Sequence, residues 1–178
     1  EMGKPVREGR SEVEKAAWCA EHYATFGAAY LADEPMESDA GRSYVAYQPL
    51  GTILGILPWN APLWLAFRFL APALMAGNTC AMKHDSHVPA SARGIMAAFE
   101  AADAPENIVV NLAVRSPKVA AVIEDPRIVA VSLTGSSTAG RKVAAAAAAQ
   151  LKPAVLELGG SDPCVVLADA DLEAAAEV

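Results

Sequence analysis

Ile128 to Gly160 reads IVAVSLTGSSTAGRKVAAAAAAQLKPAVLELGG. It opens on an apolar run, IVAVSLTG, too short for a buried helix and rich in β-branched residues, which predicts a strand. The small residues that follow make a turn, and STAGRKVAAAAAAQL predicts a helix opening near Gly140. PAVLELGG is a second apolar strand, closed by a double glycine. Two continuous apolar strands joined by a helix must lie parallel, covered on both faces. Outward from this unit the pattern repeats. GTILGILPW, NTCAMKH, NIVVNLA and CVVLAD read as strands. PLWLAFRFLAPALMAG, ASARGIMAAFEAA and SPKVAAVIED read as helices, and DLEAAAEV, ending at Val178, as the start of another. The fold class expected is α/β, an open parallel sheet with helices on both faces. Residues 1–45 are more polar. One helix is predicted over SEVEKAAWCAEHYATFGAAYLA, with Ser11 and Glu14 as its capping box, and then a turn-rich connection, DEPMESDAGRS.

The 178 residues suffice for one domain with a real core, and 53% hydrophobic against 20% charged residues describes a soluble globular chain. A net charge of −7 with no basic run argues against nucleic acid as a partner. No apolar stretch is long enough for a membrane span, and EMGKPVREGR lacks the apolar core of a signal peptide. Three cysteines, Cys19, Cys80 and Cys164, have no CxxC spacing, so neither a disulfide framework nor a metal site is expected, and a reducing cytoplasm fits.

Ligands of parallel sheets bind at the carboxyl ends of the strands. Asn60, Lys83, Gly135 and Glu157 all fall there. Each has an ordinary reading as well. Asn60 in PWNAP suits a turn or cap, and Lys83 a solvated strand end. Gly135, Ser136 and Gly140 in TGSSTAG suit either a plain strand-to-helix turn or backbone N–H groups presented to an anion at a helix start. The fingerprint GxGxxG of ordinary dinucleotide turns is missing. Glu157, between two leucines, is expected to be buried; a buried carboxylate is either paired structurally or serves as a base.

GTILGILPWNAPLW, ALMAGNTCAMK, SLTGSSTAG and LELGGSDPCVVLADADLE, in this order from about Tyr47 onward, resemble successive motifs of the aldehyde dehydrogenase superfamily. ELGGSDP, and KH where KP is commoner, are most similar to the bacterial succinate-semialdehyde dehydrogenases. The resemblance implies that residues 46–178 form part of a Rossmann-like NAD(P)-binding domain, without the catalytic domain. It implies oxidation of succinic semialdehyde to succinate through a cysteine thiohemiacetal and thioester. Asn60 would donate to the developing oxyanion, and Glu157 would be the base that activates the hydrolytic water. Trp59 would wall the site, Lys83 would meet the adenosine ribose, Gly135 and Ser136 would lie near the pyrophosphate, and Gly159 and Gly160 would leave room for the nicotinamide.

Two departures carry further expectations. Many relatives place glutamate three residues after the lysine; Ser86 stands there, and a small neutral residue beside Lys83 and His84 would admit a 2′-phosphate. NADP is therefore favoured over NAD, with Asp85 acting against it. Arg68, eight residues beyond Asn60, would grip the distal carboxylate of a semialdehyde. The alternative is an arginine stem lying on its helix with its head in water. The nucleophilic cysteine of such enzymes lies beyond the ELGG motif, past Val178, and Cys19, Cys80 and Cys164 all read as core residues. The chain is thus expected to be an inactive piece of a dehydrogenase that acts on a small aldehyde and assembles as a dimer or tetramer. The other readings are a dehydrogenase for another polar or carboxylated aldehyde, and a non-catalytic nucleotide-binding chain.

Overall fold

The computed structural model describes residues 1–177. Five strands form one parallel sheet: β3 (Thr52–Ile56), β4 (Thr79–Lys83), β5 (Val109–Asn111), β6 (Ile128–Gly135) and β7 (Ala154–Leu158). Their spatial order is β5-β4-β3-β6-β7. From β3 the chain steps outward through α2 (Pro62–Met75), β4 and α3 (Pro89–Ala101) to β5. It then crosses back through α4 (Val119–Glu124) to β6, on the other side of β3, and continues through α5 (Ser137–Ala149) to β7. The direction of winding therefore reverses between β3 and β6, and connections leave their carboxyl ends in opposite directions. This is where an open α/β sheet has its crevice.

Helices cover both faces. Ala66 and Leu70 of α2 and Ala92 and Ile95 of α3 pack with Cys80 and Met82 on one side. Ile123 of α4 and Val143 and Ala147 of α5 pack with Leu54, Ile56, Val131 and Leu133 on the other. At Gly55 a Cβ would lie 2.3 Å from the ring of Phe69, so α2 sits directly on the backbone of β3.

An N-terminal helix, α1 (Val6–Tyr30), lies against α2 through Ala16, Cys19 and Gly27. It begins after Pro5, five residues before the expected capping box. Ser11 is already inside it and donates to the Arg7 carbonyl, because the fixed φ of Pro5 starts the helix earlier. The turn-rich connection holds a two-stranded antiparallel pair, β1 (Glu34–Pro35) with β2 (Tyr44–Val45).

The carboxyl-terminal stretch departs from expectation. CVVLAD forms no strand, and Cys164 is exposed rather than in a core. An apolar run becomes a strand only when another strand pairs with it, and β7 pairs only with β6 among the described residues. The short helix α6 (Leu172–Ala176) follows, capped by Asp171; Val178, included in the expected helix, lies outside the described residues.

Candidate active site

The carboxyl edge of the sheet carries three adjoining clefts. The first, of about 540 Å³, opens where β3, β6 and β7 end. It gathers Trp59 and Asn60 from the loop after β3, Arg68 from α2, Thr134, Gly135 and Ser136 from β6 and its turn, and Glu157 and Gly159 from β7. Seven residues singled out in the sequence thus share one wall system, although they are spread over a hundred positions. Gly160 does not line it. Lys83 and Ser86 lie elsewhere, in a cleft of about 730 Å³ beyond β4. A third cleft, about 500 Å³ and largely apolar, lies between Lys83 and the pair α4 and α5, walled by Ile56, Leu133, Val119 and Val143.

In the first cleft Asn60 is exposed, and its side-chain amide has no hydrogen-bond partner among the described residues. Arg68 does not trail into water. Its Nη2 donates to Thr134 Oγ1 at 3.1 Å, which draws the guanidinium from α2 to the end of β6, in the cleft that Asn60 also lines. Ser136 is the N-cap of α5, its Oγ accepting from the Ala139 N–H at 3.2 Å. With no Cβ on Gly135 or Gly159, and open space where one would project, a ligand can approach the backbone at both points. Glu157 is exposed, against the expectation of burial. Its apolar neighbours suggested a core strand, but β7 is the sheet's edge, and α5 covers it on the face of Leu156 and Leu158, leaving Glu157 open.

In the second cleft Lys83 is only 7% exposed, and no carboxylate pairs with it among the described residues. Its stem is buried while the ammonium opens to the clefts on either side, where an anion can reach it. His84 lines the same cleft as Lys83 and Ser86, but its ring is engaged within the protein. Its ring turns inward, accepting from the Asp85 N–H at Nδ1 (2.8 Å), so that Nε2 carries the proton and donates to the Pro62 carbonyl (2.8 Å). Burial chiefly holds its pKa below the ordinary value, and the adjacent Lys83 charge adds to this; the ring is neutral. Asp85 accepts from both the backbone N–H and the ring Nδ1 of His87, so its charge is partly engaged away from Lys83. Arg93, on the second turn of α3, and Arg115, just beyond β5, complete the basic lining. Both were missed in the sequence. Arg115 could have been found by the strand-end rule that picked out Lys83, whereas Arg93 faces the cleft only because of where α3 lies.

Neither buried thiol suits nucleophilic chemistry. Burial pushes Cys80 up to about 12 and raises Cys19 as well, and Cys164 lines none of the three clefts.

An unpaired lysine with two arginines, an apolar slot and a helix N-terminus, laid in series along one sheet edge, match the phosphates, flat base and pyrophosphate of a nicotinamide dinucleotide. Comparison with known proteins agrees with this class of site. The aldehyde dehydrogenase family model matches residues 1–178, including the first 45, and the chain belongs to that family. It is 49% identical to a probable succinate-semialdehyde dehydrogenase (NADP+) of Synechocystis, over 100% of this chain and 39% of that protein. It is 47% identical to the succinate-semialdehyde dehydrogenase (NADP+) of Mycobacterium avium, over 98% of this chain and 38% of that protein. The chain thus spans well under half the length of these relatives. Among solved structures, succinic semialdehyde dehydrogenase from Streptococcus pyogenes in complex with NADP+ superposes with a TM-score of 0.91 at 38% identity, over 97% of this chain and 38% of the other. A salicylaldehyde dehydrogenase from Pseudomonas putida superposes at 0.85 with 35% identity, over 93% and 35%.

Proposed function

We propose that this chain is the coenzyme-binding part of an NADP-dependent succinate-semialdehyde dehydrogenase, with residues 46–178 as the partial nucleotide domain and 1–45 as a helical segment packed on it. The observation that carries the reading is the meeting of Asn60, Glu157 and Arg68 in one cleft at the switch point of the sheet. Oxidising an aldehyde to a carboxylate requires a donor for the carbonyl oxygen, a base for the water that supplies the second oxygen, and an acceptor for hydride. The Asn60 amide, unoccupied by other partners, donates to the oxygen as charge develops on it. Glu157, opening to solvent, takes the proton from the water that releases the acid. Arg68, already held at the cleft by Thr134, pairs with the distal carboxylate of the semialdehyde. A nicotinamide cofactor, when bound, accepts the hydride. Gly135 and Ser136 would hold its pyrophosphate and Lys83 its ribose, with Ser86, Arg93 and Arg115 around the 2′-phosphate. The nucleophile is supplied from outside this chain's cysteines.

Similarity to a salicylaldehyde dehydrogenase means that the fold alone does not choose the aldehyde; Arg68 is what favours a carboxylated one. No helix among the described residues is long and apolar enough to cross a membrane, which is compatible with a cytoplasmic site of action. The exposed apolar residues of β7 and its sequel are compatible with a homodimer or homotetramer. The test is steady-state kinetics of the full-length protein with succinic semialdehyde and butanal, each with NADP and NAD. The semialdehyde with NADP should win by roughly a hundredfold in kcat/KM, because a cationic group in the cleft disfavours substrates that leave it without an anion. Equal values for the two aldehydes would overturn the substrate assignment, and equal values for the two cofactors the NADP assignment.

A further inference from the structure

Two buried polar side chains outside the cleft converge on the segment that carries Asn60. Glu12 of α1 is 8% exposed, and its Oε1 accepts from the N–H groups of Leu63 (2.7 Å) and Trp64 (3.1 Å). These are first-turn donors of α2, which has no capping side chain of its own, since Ala61 stands at the N-cap. Lys4 binds the other carboxylate oxygen of Glu12. From the opposite side, His84 at the end of β4 donates to the carbonyl of Pro62. The loop is tied at its entry too, where the Leu57 N–H bonds to the Lys83 carbonyl at 3.1 Å. Between these ties only Pro58 to Ala61 are left to move, and Asn60 is among them. Its amide finds no partner among the described residues, so the backbone alone aims it.

We propose that His84 and Glu12 are positioning residues for Asn60, gripping the first turn of α2 from both sides so that the amide is held ready for the developing oxyanion. This inference rests on the reading of Asn60 as the oxyanion donor. His84 follows Lys83 directly, so the clamp also joins the wall of the nucleotide cleft to the loop of the aldehyde cleft. A histidine suits this place because one neutral ring meets both an N–H and a C=O within its own small volume.

The test is a double-mutant cycle in the full-length enzyme, with NADP and succinic semialdehyde. His84→Leu keeps the bulk and removes the donor. It should lower kcat about tenfold, a fraction of what deleting an oxyanion donor costs, and move the KM for NADP less than about twofold. His84→Gln, whose amide can reach the Pro62 carbonyl, should restore most of the rate. In an Asn60→Ala background, His84→Leu should cost less than about a further twofold, because the group it places has gone. Should the leucine variant fail to fold, Glu12→Ser loosens the same turn from α1 and is judged by the same cycle. Losses that multiply across the cycle, or a loss of NADP affinity with kcat unchanged, would overturn the proposal. An Asn60→Ala enzyme with wild-type kcat would overturn the underlying reading of Asn60 itself, and the clamp proposal with it.

Discussion

Arg68 and Arg115 line two different clefts at the carboxyl ends of the strands, and we propose that specificity turns on them. Arg68 is held at the cleft by Thr134, and a charged hydrogen bond from it to a substrate carboxylate would contribute about 1.5–3 kcal/mol. Arg68→Ala should therefore raise KM for succinic semialdehyde by about tenfold to a hundredfold and leave that for butanal nearly unchanged. Parallel initial-rate curves show which holds, and equal losses on both aldehydes would make Arg68 a structural residue. Arg115 faces the cleft of Lys83 and Ser86. Arg115→Ala should weaken NADP by roughly tenfold and NAD hardly at all, as titration by fluorescence would report. The line between what was and was not legible runs through these residues. Asn60, Arg68 and Glu157 follow sequence motifs, and the structure brings them together. The exposure of Glu157 was not readable in VLELGG, because apolar neighbours look alike in an inner and an edge strand. Sheet order decides the matter, and order is a property of the whole chain.

Among the elements, the only buried carboxylate between α1 and α2 among the described residues is Glu12, beside the packing of Ala16, Cys19 and Gly27. Burial alone would raise the Glu12 pKa, but hydrogen bonds from Lys4 and from the Trp64 and Leu63 N–H groups outweigh it, and the group sits below its ordinary 4.5. A depressed carboxyl contributes stability that is present above the unfolded value and is lost as pH falls through the folded one. Wild-type protein should therefore lose more stability than Glu12→Gln between about pH 5.5 and about pH 3.5, as urea midpoints would show. Glu12→Ala, which leaves two N–H groups at the start of α2 unmet, should cost about 2 kcal/mol at neutral pH. The strands and helices from β3 to α5 were legible because each carries its own period and turn signals. The capping of α2 was not, since its acceptor stands 51 residues away in sequence. CVVLAD shows the converse limit, for its composition suits a strand but a strand also needs a partner.

Over the whole molecule, helices cover both faces of the sheet, but β7 and its sequel leave Val155, Leu158, Val165 and Leu167 from 41% to 78% exposed. A polypeptide of these residues alone should self-associate at micromolar concentration, and Val155→Lys should reduce it; sedimentation velocity measures both. A wild-type chain that stays monomeric would contradict that account of the edge. The same edge carries Glu157 into the cleft with Asn60 and Arg68. We propose that this cleft is the active site of an aldehyde dehydrogenase, with Glu157 as the base for the hydrolytic water. The most direct test is rapid-mixing absorbance of the full-length Glu157→Gln enzyme with NADP and succinic semialdehyde. One NADPH per subunit should form quickly, followed by turnover slowed by about a hundredfold or more, because hydride leaves before the water attacks and general-base catalysis is worth roughly that factor. Steady turnover at the wild-type rate, with no burst, would remove Glu157 from the chemistry and contradict the account.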